Sequence, residues 1–265
     1  MPVNAPVDLS IVIVSFNARA DLERCLASLH DTPPSRSHEI IVVDNASTDG
    51  SADAARRWPG TLVIETGANL GFSRGTNAGI RASRGANLLL LNSDTVVPAG
   101  AIDALLRTLD SRADVAVVGP RLVDAHGRAE LSFGKMIGPF AELRQKWIAK
   151  GNVDALTRRA HSPDWVSGAC LLVRRGDAEA VGLLDERYVM YLEDVDFCAA
   201  IRARGRRIFF TPDVEITHLR GRSRLAAPVT TNLAYRRSQI AFYVKHHPRW
   251  APLLKLYLKM RGADI

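Results

Sequence analysis

Short apolar runs alternate with amphipathic stretches over the first 120 residues. The runs are apolar throughout instead of alternating with polar positions, which predicts strands that are covered on both faces. Strands that alternate with helices are typical of βαβ units, so the pattern predicts an α/β fold with a mainly parallel sheet flanked by helices. The predicted strands are 9–16, 39–44, 61–65, 86–92 and 114–119, and the predicted helices are 18–29, 50–57, 73–83 and 98–110.

The pattern is less regular after residue 120. Residues 121–132 predict a short hairpin that turns near Gly127, and residues 133–163 show no clear period. A later helix is predicted to end at Gly205, as helices often end at glycine. The remaining predicted elements are strands at 165–175, 207–211 and 214–218, a helix at 192–204, and two C-terminal helices from about Thr230 that are separated near Pro248.

The composition is that of a soluble globular protein. Of the 265 residues, 47% are hydrophobic and 24% are charged, which is enough for a substantial core. No run is long and apolar enough for a membrane span, and the N-terminus lacks the pattern of a secretory signal, so a cytoplasmic protein is predicted. Cys25, Cys170 and Cys198 are predicted to be buried, reduced thiols.

The formal net charge of +7 is concentrated in the C-terminal segment 230–265, which has seven basic residues against one acid, Asp264. Two interpretations remain open. The segment could lie on an anionic membrane surface, or its helices could pack on their own domain with the basic residues outward. No nucleic-acid-binding motif accompanies the charge, so nucleic acid is not predicted as a partner.

Polar residues follow four successive strands. Ligands of open parallel α/β sheets bind outside the carboxyl ends of the strands. Each group alone is explained by helix caps or turns, but four groups at one edge predict a ligand site. The groups are Ser15 and Asn17, Asp44 and Asn45, the glycine- and asparagine-rich segment 67–80, and Asn92, Ser93 and Asp94.

The residues after these strands narrow the type of ligand. The first predicted strand is not followed by a Gly-x-Gly-x-x-Gly fingerprint, and no Walker loop is present, which argues against a dinucleotide oxidoreductase and a P-loop NTPase. An acid at a strand tip, Asp94, suits a divalent cation that bridges to phosphate oxygens. Asp44 could accept a hydrogen bond from a ribose hydroxyl or a base. The edge therefore predicts a nucleoside diphosphate group with a metal.

A second cluster of acids lies in residues 185–197, with tyrosines and apolar residues interleaved. It could be a solvated helix start, but the apolar neighbours indicate partial burial, which makes the acids candidates for general base catalysis. His218 ends a predicted strand and is either structural or a metal ligand. The five acids are Asp185, Glu186, Glu193, Asp194 and Asp196.

Seven motifs taken together resemble the family 2 inverting glycosyltransferases with the GT-A fold, over about residues 9–247. The form N-x-G-F-x-x-G-x-N-x-G is similar to the rhamnosyltransferase-like branch, which builds bacterial cell-wall and surface polysaccharides. The motifs are IVIVSFN, IIVVDNASTDGS, NLGFSRGTNAGI, LLLLNSDTVV, VSGACLLVRR, YLEDVDFCAAIRARG and ITHLRGRS.

The resemblance implies a role for each matching position. Asp194 matches the catalytic base, with Glu193 and Asp196 orienting it or contacting the acceptor, and Asp94 and His218 match the ligands of Mg²⁺ or Mn²⁺. Asn92 stands where the family has the first acid of its Asp-x-Asp motif. The nucleotide-sugar site would comprise Ser15, Asn17, Asp44, Asn45, Asn69, Gly71, Phe72, Gly75, Asn77, Asn92, Ser93, Ser167 and Gly168.

The predicted activity is transfer of a sugar, with L-rhamnose as one candidate, from a dTDP-, UDP- or GDP-sugar to a hydroxyl of a glycan or lipid-linked saccharide. Residues 1–229 would form one catalytic domain, with a nucleotide-sugar half at 1–120 and an acceptor half at 121–229, followed by the basic tail 230–265. The tail would allow peripheral attachment to the inner membrane face. The alternatives are a metal-dependent nucleotidyl- or phosphotransferase and a catalytically silent relative that binds glycans or membranes.

Overall fold

The apolar runs of the sequence form the central sheet of the computed structural model, which describes residues 7–138, 153–219 and 228–260. The strands are β1 Leu9–Ser15, β2 His38–Asp44, β3 Thr61–Glu65, β4 Asn87–Asn92, β5 Thr95–Val96, β6 Val115–Val123, β7 Ala129–Glu130, β8 Phe133–Gly134, β9 Trp165–Val166, β10 Cys170–Arg174 and β11 Arg207–His218. The helices are α1 Arg19–Asp31, α2 Ser51–Arg56, α3 Phe72–Ala82, α4 Ala101–Asp110, α5 Val153–Leu156, α6 Arg175–Ala180, α7 Glu193–Ala203, α8 Pro228–His246 and α9 Ala251–Met260.

The sheet has the strand order β3-β2-β1-β4-β10-β6-β11-β5, and β7 pairs with β6. Strands β3, β2, β1 and β4 are parallel, whereas β10 is antiparallel to both β4 and β6, and β11 is parallel to β6. The carboxyl ends of β1, β2, β4 and β11 therefore meet at the same edge as the start of β10. The predicted α/β fold, with helices flanking a mainly parallel sheet, is confirmed.

Both faces of the sheet are buried, which explains why its strands are apolar throughout. In β4, Leu89 and Leu91 pack on one face with α1 and α4, while Leu88 and Leu90 pack on the other with α3 and α7. Successive side chains of a strand point to opposite faces, so a strand covered on both sides needs apolar residues at consecutive positions. The three cysteines are free and buried, as predicted.

Two predicted strands differ from the structure. The run 165–175 is interrupted at Ser167–Ala169, so that β9 pairs with β8 and β10 joins the main sheet. The predicted strands at 207–211 and 214–218 are the single strand β11, because its pairing with β6 shifts register between Thr211 and Glu215. Such an irregularity accommodates Pro212, which cannot donate to a regular ladder. The predicted hairpin is present, and Gly127 has φ +74° in its turn.

The two predicted C-terminal helices are α8 and α9. Phe242 and Tyr243 of α8 and Ala251 of α9 are buried in a cluster with Tyr188 and Leu192, so the segment packs against the region that precedes α7. No helix among the described residues has both the length and the apolar character needed to cross a membrane. Of the stretch without a clear period, 133–163, residues 139–152 lie outside the described part of the chain.

Candidate active site

Two buried oxygen atoms lie without a hydrogen-bond partner where β1 and β2 end. Ser15 and Asp44 are neighbours in the register of the two strands, and both side chains are buried. Ser15 Oγ and Asp44 Oδ1 have no partner among the described residues, whereas Asp44 Oδ2 accepts from the Ser47 backbone N–H at 2.9 Å. Buried polar atoms are rarely left unpaired in folded proteins. These two atoms are therefore candidates for contact with a ligand at this edge.

Asn17 joins the loops that follow β1 and β2. Its backbone N–H donates to Ser47 Oγ at 2.9 Å, and its Oδ1 accepts from the Thr48 backbone N–H at 2.8 Å. Asn17 has φ +49°, a left-handed conformation that asparagine adopts more readily than most residues. Asn17, which was predicted to contact the nucleoside, thus also holds together the two loops that follow β1 and β2.

Asn45 organises the loop between β3 and α3. Its Nδ2 donates to Asn69 Oδ1 at 3.0 Å and to the Gly71 carbonyl at 3.1 Å, and its Oδ1 accepts from the Leu70 N–H at 2.9 Å. Asn45 is buried and Asn69 is exposed. The predicted pocket residues therefore form a hydrogen-bonded loop beside the unpaired oxygens of Ser15 and Asp44.

The glycines of this loop allow two close approaches. Gly71 has φ +83°, and a Cβ there would lie 2.6 Å from the Val189 carbonyl oxygen, which also accepts from the Phe72 N–H at 2.7 Å. A Cβ on Gly75 would lie 3.1 Å from Val14 Cγ1 of β1. Gly71 and Phe72 thus hold the segment that leads to α7, while Gly75 lets α3 pack on the sheet.

Asn77 connects α3 to the same segment. This buried side chain donates from Nδ2 to the Leu184 carbonyl at 2.8 Å and to Glu186 Oε1 at 3.0 Å, and it accepts from the Leu184 N–H at 3.1 Å. The hydrogen bonds of Asn77 are thus made to Leu184 and Glu186. Asn77 was predicted to wall the nucleotide-sugar pocket, and the contacts it makes here position the backbone that precedes the acids of α7.

Asp94 and His218 converge at the tip of β4. Strand β5 pairs with β11 so that Thr95 lies opposite His218, and the Leu219 N–H donates to the Asp94 carbonyl at 2.8 Å. His218 Nε2 lies 3.2 Å from Asp94 Oδ1, while Asp94 is partly exposed, with 29% of its side chain accessible. Asn92 ends β4, and both it and Ser93 are partly buried in the turn before Asp94.

A third group, Glu130, contacts the other nitrogen of His218. Glu130 is on strand β7 of the hairpin, and its Oε2 lies 3.1 Å from His218 Nδ1. Burial would lower the pKa of His218, but hydrogen bonds and charge interactions with Asp94 and Glu130 outweigh this effect and raise the pKa to about 9. Glu130 was not singled out in the sequence, because nothing local in residues 129–130 indicates a partner 88 positions away.

The residues at this tip suit a divalent cation. A carboxylate, and an imidazole nitrogen once it has lost its proton, are accepted ligands of Mn²⁺, and a carboxylate suits Mg²⁺. Within the described ranges no set of three or more histidine, cysteine, aspartate or glutamate side chains is arranged to hold a metal by itself. Asp94 and His218 are the two side chains at this tip that would hold such a cation.

Asp194 lies at the start of α7, next to the loop between β9 and β10. Its Oδ2 accepts from the Gly168 N–H at 2.9 Å and its Oδ1 accepts from the Val195 N–H at 2.8 Å. The neighbouring Ala169 carbonyl accepts from the Asn92 N–H at 3.0 Å, so this loop adjoins the tip of β4. Asp194 is partly exposed. Burial raises its pKa, and the two N–H donors oppose that effect.

The loop before β10 is fixed by its own hydrogen bonds. The Ser167 N–H donates to the Ser132 carbonyl at 2.8 Å, and Ser167 Oγ accepts from the Ala169 N–H at 3.3 Å. A Cβ on Gly168 would lie 3.3 Å from Asp194 Cβ, so a small residue is favoured at that position. Ser167 and Gly168 therefore lie beside Asp194, at the edge where they were predicted.

Glu193 has a different environment from its neighbour. It is buried, and its Oε2 has no hydrogen-bond partner among the described residues. Burial and the adjacent Asp194 carboxylate both raise the pKa of Glu193. Tyr191 and Leu192, which precede it, have φ of +71° and +64°. Two successive non-glycine residues with left-handed backbone conformation are unusual, which indicates that surrounding contacts hold the backbone in place.

Asp196 is in the interface with the C-terminal helix. Its side chain is 2% exposed and contacts Lys245 Nζ at 2.8 Å and His246 Nε2 at 2.6 Å, and it accepts from the Tyr188 hydroxyl at 3.2 Å. Asp196 was predicted to orient the base or to contact the acceptor, and the structure places it among residues that attach α8 to α7. The sequence did not single out Lys245 and His246 as its partners, because contacts between residues about 50 apart have no local signature.

Comparison with known proteins identifies the family and the fold. The sequence model described as glycosyl transferase family 2 matches residues 10–179. The chain is 32% identical to an N-acetylglucosaminyl-diphospho-decaprenol L-rhamnosyltransferase of Mycobacterium tuberculosis, covering 92% of this chain and 87% of that protein. It is 28% identical to a low-salt glycan biosynthesis hexosyltransferase, Agl10, of Haloferax volcanii, over 76% of this chain and 63% of that protein.

Solved structures show the same fold. A mannosyltransferase of Pyrobaculum calidifontis, in complex with GDP-Man and Mn²⁺, is similar with a TM-score of 0.65 and 18% identity, covering 95% of this chain and 69% of that one. A structure of GalNAc-T7 with UDP, GalNAc and Mn²⁺ has a TM-score of 0.62 and 17% identity over 82% and 44% of the two chains. The fold is therefore that of the GT-A glycosyltransferases. The chain belongs to glycosyl transferase family 2 and is a glycosyltransferase, as its motifs predicted.

Proposed function

We propose that this glycosyltransferase is an inverting enzyme that moves a sugar from a nucleoside diphosphate to an acceptor hydroxyl. The observation that supports this most is the separation of two acids along one sheet edge. Asp94 lies at the tip of β4 with His218. Asp194 lies at the start of α7, on the other side of the loop between β9 and β10. Ser15 and Asp44 add unpaired buried oxygens at the ends of β1 and β2.

The two acids take different roles in this proposal. Asp94 and His218 would hold a divalent cation, which when bound would supply positive charge against the negative charge of the leaving diphosphate. Asp194 accepts the proton of the acceptor hydroxyl as that oxygen attacks the anomeric carbon from the opposite side. The N–H groups of Gly168 and Val195 fix the orientation of Asp194. Its raised pKa is closer to the range in which a general base works efficiently.

The donor and acceptor are proposed from the relatives. The rhamnosyltransferase of M. tuberculosis, by its name, transfers L-rhamnose to a lipid-linked saccharide, so a dTDP-, UDP- or GDP-activated sugar, with L-rhamnose as the leading candidate, is proposed here. The proposed acceptor is a saccharide on a lipid diphosphate. Ser15, Asp44 and the Asn45-organised loop are proposed to hold the nucleoside, with Asn92 and Ser93 next to the diphosphate.

A donor panel tests this function. Thermal stabilisation is measured with dTDP-, UDP- and GDP-sugars, each with Mg²⁺, Mn²⁺ or EDTA, and the best donor is then used in turnover with a saccharide acceptor. We expect one nucleotide to stabilise the protein, the effect to be lost with EDTA, and NMR of the product to show an inverted anomeric centre. Metal-independent stabilisation would contradict the Asp94–His218 site, and a retained anomeric centre would contradict the mechanism.

A further inference from the structure

Helix α9 has a second apolar face, whose side chains are exposed. Ala251 and Leu258 are buried against the domain. On the solvent side, Leu253, Leu256 and Met260 are exposed by 57%, 57% and 78%. Together with Tyr257 these positions have the spacing i, i+3, i+4 and i+7, which places them in one stripe along a helix.

The stripe is extended at its N-terminal end by Trp250, which is 44% exposed, three residues before Leu253. Single exposed apolar residues are normal on a protein surface, but a contiguous set marks a site of interaction. The core side of α9 is already satisfied by Ala251 and Leu258. Packing within the domain therefore gives no reason for the outer face to be apolar.

Basic residues accompany the stripe. Arg249, Lys255 and Lys259 lie in this segment, and residues 246–260 contain no aspartate or glutamate. At 100° per residue, Lys255 and Lys259 lie between the buried face and the edge of the apolar stripe. Long basic side chains at such an edge can extend toward an anionic surface while their apolar stems cover the stripe.

We propose that this outer face of α9, with Trp250, docks on a lipid surface that carries anionic headgroups. The apolar stripe would enter the boundary of headgroups and acyl chains, and Arg249, Lys255 and Lys259 would contact the headgroups, as in interfacial amphipathic helices. A second copy of the chain fits less well. A two-fold contact sets the same patch against itself and would bring the basic residues of both copies together.

The docking face is attached to the catalytic part of the protein. Helix α8 is held to α7 by contacts of Lys245 and His246 with Asp196, and α9 follows α8 after a short connection and shares its buried cluster. A lipid surface on α9 would therefore hold the enzyme at the surface where a lipid-linked acceptor is found. Lipid docking itself requires neither donor nor acceptor, so it is testable separately from the proposed transfer.

Vesicle sedimentation with the full chain tests the proposal. Vesicles of phosphatidylcholine alone are compared with vesicles of phosphatidylcholine and phosphatidylglycerol in equal parts. We expect binding to the anionic vesicles only, weakened by added salt. Lys255→Gln/Lys259→Gln should weaken binding by about fivefold per lysine, and Leu253→Ser/Leu256→Ser by at least about tenfold.

Matched variants keep the comparison specific. Leu62→Ser/Leu156→Ser removes two leucines that are 49% and 44% exposed elsewhere, and Lys135→Gln/Arg159→Gln removes two exposed basic residues far from α9 in the sequence. Both controls should bind vesicles like the unchanged protein, and circular dichroism confirms that all variants fold. Absence of binding to anionic vesicles overturns the proposal. So does self-association in sedimentation velocity that Leu253→Ser/Leu256→Ser abolishes while vesicle binding is unaffected.

Discussion

Glu193 and Asp194 show how adjacent carboxylates acquire different properties from their surroundings. Asp194 is partly exposed and receives two N–H donors. Glu193 is buried, and one of its oxygens has no partner among the described residues. Environments that differ in this way commonly separate a reacting acid from a supporting one. The reacting group in our proposal is Asp194, whereas Glu193 is a buried carboxyl group whose ionisation should lower stability by a measurable amount.

Replacement of Glu193 by glutamine should stabilise the protein in a pH-dependent way. Because burial and Asp194 raise the pKa of Glu193 in the folded state, its burial costs nothing below the unfolded pKa, and the cost grows as the pH rises toward the folded pKa. We expect Glu193→Gln to raise the free energy of unfolding by on the order of 2 kcal/mol at pH 8 and by much less at pH 5. Thermal and urea unfolding measure this, with the exposed Glu179→Gln as the control. An equal effect at both pH values would contradict the assignment.

Glu130 is expected to matter for the metal without binding it. Its contact with His218 Nδ1 fixes the imidazole orientation and leaves Nε2 directed at Asp94, and removal of such a supporting group typically weakens metal affinity by about 10–100-fold. Titration of Mn²⁺ into the protein with its nucleotide should show this loss for Glu130→Gln, but not for the exposed Glu215→Gln on β11. Unchanged Mn²⁺ affinity would show that Glu130 does not support metal binding by His218.

The start of helix α3 supports the segment that leads to helix α7. Gly71 and Phe72 meet Val189, and Asn77 holds Leu184 on the same segment. Tyr191 and Leu192 then turn the chain through left-handed backbone into α7. The loop that is proposed to hold the nucleoside and the segment that leads to Asp194 therefore share one set of contacts, so a change in the loop should affect the position of Asp194.

Gly71→Ala tests this coupling, with Gly67→Ala as the matched control. Both glycines have positive φ, +83° and +70°, but a Cβ on Gly71 would lie 2.6 Å from the Val189 oxygen, whereas a Cβ on Gly67 meets open space. Gly67→Ala should cost about 1 kcal/mol through the backbone alone. Gly71→Ala should cost more and should also lower the turnover number. Equal losses of stability and turnover for both variants would show that the contact between Gly71 and Val189 affects neither stability nor turnover.

Helices α8 and α9 are packed on the rest of the protein. Lys245 contacts both Asp185 and the buried Asp196 at 2.8 Å. Lys245→Met would leave Asp196 with fewer partners and should lower the free energy of unfolding by about 2 kcal/mol, whereas the exposed Lys259→Met should have almost no effect. Urea unfolding compares the two. Equal stability of both variants would mean that the contacts of Lys245 add nothing to the attachment of α8.

The sequence predicted the features that local patterns determine. The apolar runs of β1, β2 and β4 reflect burial on both faces, and their polar ends indicated the binding edge. Asn77 and Asp196 were assigned to the site on motif position, but their partners are residues 107 and about 50 positions away. Glu130 and Lys245 were not singled out for the same reason. Long-range pairing decides these contacts, and a pattern along the chain does not contain it.

The most direct test of the account is Asp194→Asn, compared with the exposed Asp213→Asn. Because the substitution keeps the side-chain shape and removes the base, we expect donor and Mn²⁺ binding to be retained while sugar transfer falls by about 10²–10⁴-fold. Asp213→Asn should leave both unchanged. Sugar transfer at an undiminished rate by Asp194→Asn would show that this carboxylate is not the base.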